Sequence, residues 1–494
     1  MKQINIIGAG FAGSAVAMQL IQQARTALQI RLFERADQAQ TGVAYADQGL
    51  DLLLNVPAGR MSLWPEQPHH FVAWLAQQVE FSALPLSQLA GSFVPRRCYG
   101  RYLQQQWQHS QQLATSKGIL LESINADIRQ LHIHQGKPLL LGHRLDATRQ
   151  ADTALPFSHW PSDVVILACG NEQPAAPAML PSEVLQHPAY RPDPWRAQSY
   201  QGLSADSQVL ILGNGLSMVD AVLALRQAGV RRPVLSLSPH GFAMLAHPAV
   251  ATPTTQPQPP ISPPTAASSP RQLLNWFQQQ RKRHSAAAKP DASQLLDAIR
   301  PHSQHYWRQF SDWQKQQFLR HLRHRWGVLR HKLPAEMMAT ILDAQQHGWL
   351  QIRAGQLQTV TPCGAQLQVA WRGRGDHQQQ QLRVDALINC TGPATDYRRL
   401  PAHLLQQAIA DGILAAGPLG QGLALAPTTT VQDDTKLVTA ELVTAELQLA
   451  DAKGQAQAGV YALGPVLRGA LWETTAVHEI RQQAVLIAKA VLSR

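Results

Sequence analysis

Residues 4–34 read INIIGAGFAGSAVAMQLIQQARTALQIRLFE. Ile4 to Ile7 is a short apolar run rich in β-branched residues, the pattern of a buried parallel strand. Gly8, Gly10 and Gly13 follow at once in G-x-G-x-x-G spacing. Val16, Leu20, Ile21 and Ala24 then recur on one face of a helix. A second strand, Ile30 to Phe33, closes in Glu34. Each position has a physical reason. Gly8 permits a tight turn, Gly10 lets backbone approach a pyrophosphate, and Gly13 lets helix and strand pack closely. The N–H groups and positive dipole end of the helix then face phosphate. Glu34 stands where a carboxylate accepts both hydroxyls of an adenosine ribose. A glycine-rich turn without a ligand is the plainer alternative, and the strand, helix and acid around the turn argue against it.

Working outward, residues 42–64 read GVAYADQGLDLLLNVPAGRMSLW. Asn55, Pro57, Gly59 and Arg60 mark a shaped loop. In a dinucleotide fold it lies near the carboxyl ends of the strands, where ligands sit. Residues 94–103 (VPRRCYGRYL) read as a turn opening a helix through residue 117. Arg96 and Arg97 are candidate substrate contacts there, against a plain solvated basic face. A buried strand, VVILACG, closes in Gly170, and a polar, Pro-rich connection covers residues 172–205.

A second strand–glycine–helix unit begins at Gln208, with Gly213 and Gly215 but Met218 at the third glycine position. Two such units hold two dinucleotides. The next strand, VLSLSPHG, ends without an acid. An acid there favours NAD, so its absence, with Ser236, Ser238 and His240 nearby, favours NADPH and leaves NADH open.

Residues 248–270 form a low-complexity Pro/Thr/Ser/Ala loop, and residues 271–347 read as helices carrying His321, His324 and His331 among many arginines. His321 and His324 are placed on one helix face. No acid or cysteine completes a ligand set, so no metal is expected. Strands return after residue 348, up to NCTGP with Thr391 and Gly392. Near the end, Val460 to Leu463 is a strand, Gly464-Pro465 a turn, and a long helix begins near Thr474.

The whole chain sets bounds. At 494 residues it is too long for one core. No apolar run reaches a membrane span of roughly 18 residues, and a strand starting at Ile4 leaves no room for a signal peptide. A soluble cytoplasmic protein without membrane partner is the expectation. Cys98, Cys169, Cys363 and Cys390 form no C-x-x-C, which speaks against a disulfide framework or redox dithiol. The net charge of +11 is spread out and no nucleic-acid motif accompanies it, so phosphate-rich cofactors or an anionic substrate account for it better than nucleic acid.

GAGFAGS, GVAY, LNVPAGRMS, FVPRRCYGRYL, ACG, GNGLSMVD, RHKLP, NCTGP and GPVLRGALWETTAVHEIR together resemble a bacterial FAD/NAD(P)-binding flavoprotein group. That group includes an FAD-dependent urate hydroxylase and an aspartate N-hydroxylase. More distantly the chain is similar to ornithine and lysine N-hydroxylases. The resemblance implies an α/β, two-dinucleotide-binding (Rossmann-type) flavoprotein with a helical insertion. Its FAD domain comprises residues 1–200 and 391–494, and its NAD(P)H domain residues 206–247 and 348–390.

The resemblance implies FAD on Gly8, Gly10, Gly13 and Glu34. Phe11, Ala12, Arg35, Tyr45, Gly170, Thr391 and Gly392 are further candidate cofactor contacts. Flavin-ring surroundings are implied for Asn55, Val56, Arg60, Met61, Gly464, Pro465 and Thr474, and NADPH is implied on Gly213, Gly215 and Ser217. Pro239 stands where an arginine is common in the group. The activity implied is monooxygenation of a small polar substrate with molecular oxygen through a flavin C4a-hydroperoxide, on an amino-acid nitrogen or a purine-like ring. A reductase without oxygen transfer and a non-catalytic nucleotide-binding protein are the alternatives.

Overall fold

The computed structural model describes residues 1–35, 39–47, 49, 52–146, 156–248, 261–264, 269–283, 292–376, 378–400, 403–427 and 447–493. Most of the low-complexity loop over 248–270 therefore lies outside the described residues. The strands, in chain order, are β1 (Lys2–Ile7), β2 (Leu28–Glu34), β3 (Leu120–His134), β4 (Lys137–Arg144), β5 (Ser158–Pro161), β6 (Val164–Leu167), β7 (Tyr190–Arg191), β8 (Val209–Leu212), β9 (Val234–Ser238), β10 (Leu245–Ala246), β11 (Lys332–Leu333), β12 (Leu350–Cys363), β13 (Gln366–Gly373), β14 (Gln379–Val384), β15 (Ala386–Asn389), β16 (Gln448–Ala450) and β17 (Ala456–Ala462).

They form two large sheets. The first runs β16-β17-β6-β1-β2-β3-β4-β5, and the second β14-β13-β12-β9-β8-β15-β7. In the first, a parallel centre has antiparallel strands on both sides; in the second, antiparallel β13 and β14 flank one side only and the other edge, β7, is parallel. The centre follows from sequence: β6 and β8 are VVIL and VLIL with every residue buried, as strands covered on both faces require. β7 comes from the stretch read as a connection, yet it pairs with β15 in the second sheet. Two residues carry no periodicity, so this edge strand had no sequence signal.

Helix α1 (Phe11–Gln23) follows β1 and packs beside the C-terminal helix (Val477–Leu492). The corresponding helix of the second sheet is Leu216–Gln227. After β9 the chain leaves that sheet for a helical insertion and returns through β11, which pairs with β10 and closes the neck. The insertion stretch WRQFSDWQKQQFLRHLRHRW falls across three helices: Ser303–Gln309, Asp312–His321 and Arg323–Arg330. Ser311 breaks it with a capping box to Gln314, and a further break falls at Leu322. His321 and His324 therefore do not share a helix face. The insertion's own core of Tyr306, Trp307, Phe310 and Phe318 is completed by Trp472, which belongs to the chain after β17.

Candidate functional site

The first glycine turn is dictated by contact distances. Gly8 adopts φ +92°, and a Cβ there would meet the Ala168 carbonyl oxygen at 2.4 Å. A Cβ on Gly13 would lie 1.8 Å from the Gly8 carbonyl oxygen. Gly10 differs: its Cβ would meet Gly42 Cα at 3.4 Å, ordinary contact. The fold itself does not demand glycine at position 10, which leaves the space in front of it as the reason. Phe11 and Ala12 open α1, and no side chain caps the helix. Its first-turn N–H groups form a site suited to anions. Glu34 ends β2, and its carboxylate accepts from Ala9 N–H at 3.0 Å and Arg35 N–H at 2.9 Å. Arg35 is exposed, 3.9 Å from Glu172.

Tyr45 sits behind the turn, its ring edge-on to Phe11 at 6.1 Å and Tyr99 at 4.7 Å. Burial pushes its phenol up to about 12, with Arg96 opposing. Asn55 and Val56 are half-buried; the Asn55 carbonyl accepts from the His247 ring at 3.0 Å. Met61 is buried and Arg60 is exposed. Gly170 (φ +73°) and Gly392 (φ +92°) have nothing within 4 Å of an added Cβ. Burial, reinforced by Glu172, pushes the Cys169 thiol up to about 12, which disfavours its thiolate.

The late loop closes onto this turn. A Cβ on Gly464 (φ +78°) would lie 3.8 Å from Ala12. Gly464 N–H donates to Gln483 Oε1 at 2.8 Å, the Thr474 hydroxyl to the Gly464 carbonyl at 3.1 Å, and Gln483 Nε2 to the Thr474 oxygen at 2.7 Å. Pro465 begins a short 3-10 turn, where its missing N–H is no loss.

Trp472, just before Thr474, has φ +63° and ψ −68°, and Glu473 N–H bonds the Leu471 carbonyl at 2.8 Å. This is a γ-turn of the rare, strained hand, centred on a bulky residue. The insertion holds it there. Trp307 stacks on Trp472 at 4.9 Å, Phe318 meets it edge-on at 5.1 Å, and Arg468 lies 5.1 Å above its ring. Trp307 Nε1 donates to the Gly469 carbonyl at 2.7 Å, and the Gln304 amide donates to the Glu473 carbonyl. The Glu473 carboxylate accepts from Trp326 Nε1 at 2.8 Å and Arg330 Nε at 3.0 Å, with Arg300 Nε at 3.8 Å. Burial alone would raise the Glu473 pKa, but Arg330, Trp326 and Arg300 outweigh it and hold the group below its ordinary value. Sequence reading covered this stretch and missed Glu473, whose partners lie 143 and 147 residues away.

The second turn repeats the first. Gly213 has φ +105°, and a Cβ would strike the Cys390 carbonyl oxygen at 2.3 Å; at Gly215 nothing lies within 4 Å. The helix it opens also lacks a side-chain cap. Met218, in place of a third glycine, is fully buried. Ser217 carries the carbonyl that accepts from the Cys390 thiol at 3.5 Å. The Thr391 hydroxyl donates to Asn389 Oδ1 at 2.7 Å.

Arg96 is not available as a substrate contact. Its guanidinium forms a two-pronged pair with Asp220 at 3.0 and 3.1 Å and donates to the Leu53 carbonyl at 3.1 Å. Asp220 belongs to the helix after the second turn, so Arg96 ties the first sheet's domain to the second. Arg97, beside it, is exposed. Two cavities, of about 220 and 890 Å³, are lined by neither glycine turn; each turn lies outside them. Among the described residues no group of three His, Cys, Asp or Glu could hold a metal, and no helix is long and apolar enough to cross a membrane.

Residues 5–172 match the family model described as FAD-NAD(P)-binding. The uncharacterized protein YdhS of Escherichia coli K12 is 26% identical over 231 residues, 46% of this chain; the match spans 39% of that protein's length. Over 99% of both chains the fold is similar to the ornithine N-hydroxylase KtzI of Kutzneria sp. 744 (13% identity, TM-score 0.60). It is similar over the same shares to L-lysine 6-monooxygenase of Pseudomonas syringae (14%, 0.61). The bacillithiol disulfide reductase Bdr of Staphylococcus aureus covers 100% of this chain and 99% of its own (11%, 0.54). The α/β, Rossmann-type fold matches that of FAD/NAD(P)-binding flavoproteins.

Proposed function

We propose that this chain is an FAD-dependent NAD(P)H monooxygenase acting with molecular oxygen on a small polar substrate, an amino-acid nitrogen or a purine-like ring. One observation carries the reading. The late loop rests on the first glycine turn and is clamped from outside by the helical insertion, so it is held where a flavin bound on that turn would need a wall. The residues present fit the cofactors: Gly10 and Gly215 leave room that only a ligand-approaching backbone needs.

In this reading FAD supplies the hydride-accepting and oxygen-activating chemistry. Gly8, Gly10, Gly13 and the start of α1 hold its pyrophosphate, and Glu34 faces its ribose. Asn55, Val56, Met61, Gly464 and Thr474 surround its ring. Gly213, Gly215 and Ser217 hold the nicotinamide dinucleotide. The Trp472 loop and the insertion keep water out, which an oxygenating site needs to avoid wasting reduced cofactor. The proteins with similar folds named as ornithine and lysine oxygenases make amino acids with side-chain amines the first substrates to try.

The test is product formation. The purified holoprotein, supplied with NADPH and oxygen, is incubated with ornithine, lysine, aspartate and urate, and hydroxylated product is counted by mass spectrometry against NADPH consumed. Product formed in proportion to NADPH supports the reading. NADPH turnover that proceeds equally without oxygen, given an artificial electron acceptor, and never yields hydroxylated product favours the reductase.

A further inference from the structure

The residues directly after β9 carry no arginine, yet the structure brings two there from distant parts of the chain. Arg374 lies beyond β13, and its Nη1 sits 3.3 Å from His240 Nδ1. The His240 ring lies 4.6 Å from the His324 ring, and His324 Nε2 is 3.3 Å from Arg323 Nη2. Arg323 and His324 open a helix of the insertion, far along the chain from β9. Ser238 completes the corner, its hydroxyl accepting from Gly241 N–H at 3.1 Å. Two guanidiniums and two imidazoles thus converge from three elements. Among the described residues neither Arg323 nor Arg374 has a carboxylate within 4.0 Å. Burial, with Arg323 and His240 beside it, pushes His324 down to about 4. Two guanidiniums gathered beside two imidazoles, with no described carboxylate in reach, raise the local positive potential and suit an anion.

The position says which anion. In a strand–glycine–helix–strand unit, the end of the second strand meets the adenosine ribose, and an arginine there accommodates a 2′-phosphate. β9 is that strand, following the turn at Gly213 and Gly215. We infer that Arg374, Arg323, His240 and His324 form the seat of the 2′-phosphate of the nicotinamide dinucleotide, and that this chain selects NADPH over NADH. The inference rests on the reading of the second glycine turn as a nicotinamide dinucleotide site. The insertion thereby gains a second role, because one of its helices closes over the bound dinucleotide.

The experiment uses two fragments, 2′,5′-ADP and 5′-AMP, titrated into the FAD-loaded full-length protein by calorimetry. They differ only in the 2′-phosphate. The expected result is 2′,5′-ADP binding at least tenfold tighter than 5′-AMP. Arg374→Ala and Arg323→Ala should each weaken 2′,5′-ADP by about 10- to 100-fold, the size of one charge-assisted hydrogen bond, and leave 5′-AMP unchanged. Both arginines are exposed, so the variants should fold, and unchanged flavin content checks that. Arg374→Lys should restore part of the loss. Equal binding of the two fragments, or a preference that survives Arg374→Ala with Arg323→Ala, overturns this inference alone. Binding of neither fragment overturns it together with the dinucleotide reading of the second turn.

Discussion

Replacing Glu473 by alanine should loosen the loop that faces the proposed flavin. Its carboxylate is about a tenth exposed, as is Arg330 opposite it at 3.0 Å. Breaking one member of such a buried pair costs roughly 3–5 kcal/mol, because the remaining charge is stranded. The lower end applies here. Arg300, the second cation, keeps Glu479 at 2.7 Å and is not stranded. A further cost comes from Trp326, whose indole N–H loses its acceptor. The two contacts hold a γ-turn at Trp472 that is itself strained, so the loss should appear as local opening. About 3 kcal/mol corresponds to roughly 100-fold faster exchange at 1.36 kcal/mol per decade. Hydrogen-exchange mass spectrometry on peptides covering residues 468–476 and 323–330 measures it directly. Glu473→Gln, which retains the shape and an acceptor for Trp326, should fall between alanine and wild type. Exchange in both peptides within about threefold of wild type for Glu473→Ala would refute the clamp.

The two glycines of the first turn should separate folding from binding. Gly13→Ala puts a Cβ 1.8 Å from the Gly8 carbonyl oxygen and should lower the thermal midpoint and empty the flavin site; Gly10→Ala, in ordinary contact, should keep the midpoint and lose FAD affinity, as flavin fluorescence on dilution would show. Arg96→Ala should cost about 3 kcal/mol by stranding buried Asp220, read as a lower urea midpoint; a change in substrate KM alone, with stability untouched, would return Arg96 to the substrate site. Acid should destabilise the insertion in two steps. Burial, then Arg330, depress His331 to about 4 from 6.5, so the unfolded chain takes up that proton first and stability falls as pH drops from 6.5 toward 4. His324 contributes in the same window, so His331→Leu should reduce the pH slope of urea midpoints there without abolishing it. Glu473 is depressed below 4.5, and its contribution is lost only as pH falls beneath that value.

The glycine turns, their strands and Glu34 were legible because they are local. A G-x-G-x-x-G unit spans fewer than ten residues, and its requirements are backbone contacts between residues close in sequence or across one strand pair. The same holds for the late Gly464-Pro465 turn and the amphipathic helix beyond it. β7 was invisible because two residues have no period, and the insertion's helix breaks depended on one capping serine and a kink at Leu322.

The candidate site beyond the turns was decided by tertiary structure. Arg96 looked like a substrate ligand because residue type and loop position were all that sequence offered; only the approach of Asp220, 124 residues on, assigned it to holding the domains together. Pro239 stands where an arginine is common, and the arginines proposed for the 2′-phosphate, Arg374 and Arg323, arrive from a hairpin and an inserted helix. Glu473 acquired its meaning from Trp326 and Arg330 in the same way. The sequence alone determined where the glycine turns fall, since those are demands on single residues and their neighbours. Which charges meet, and which are left without a partner, depends on how separately folded elements pack. No spacing in the chain encodes that.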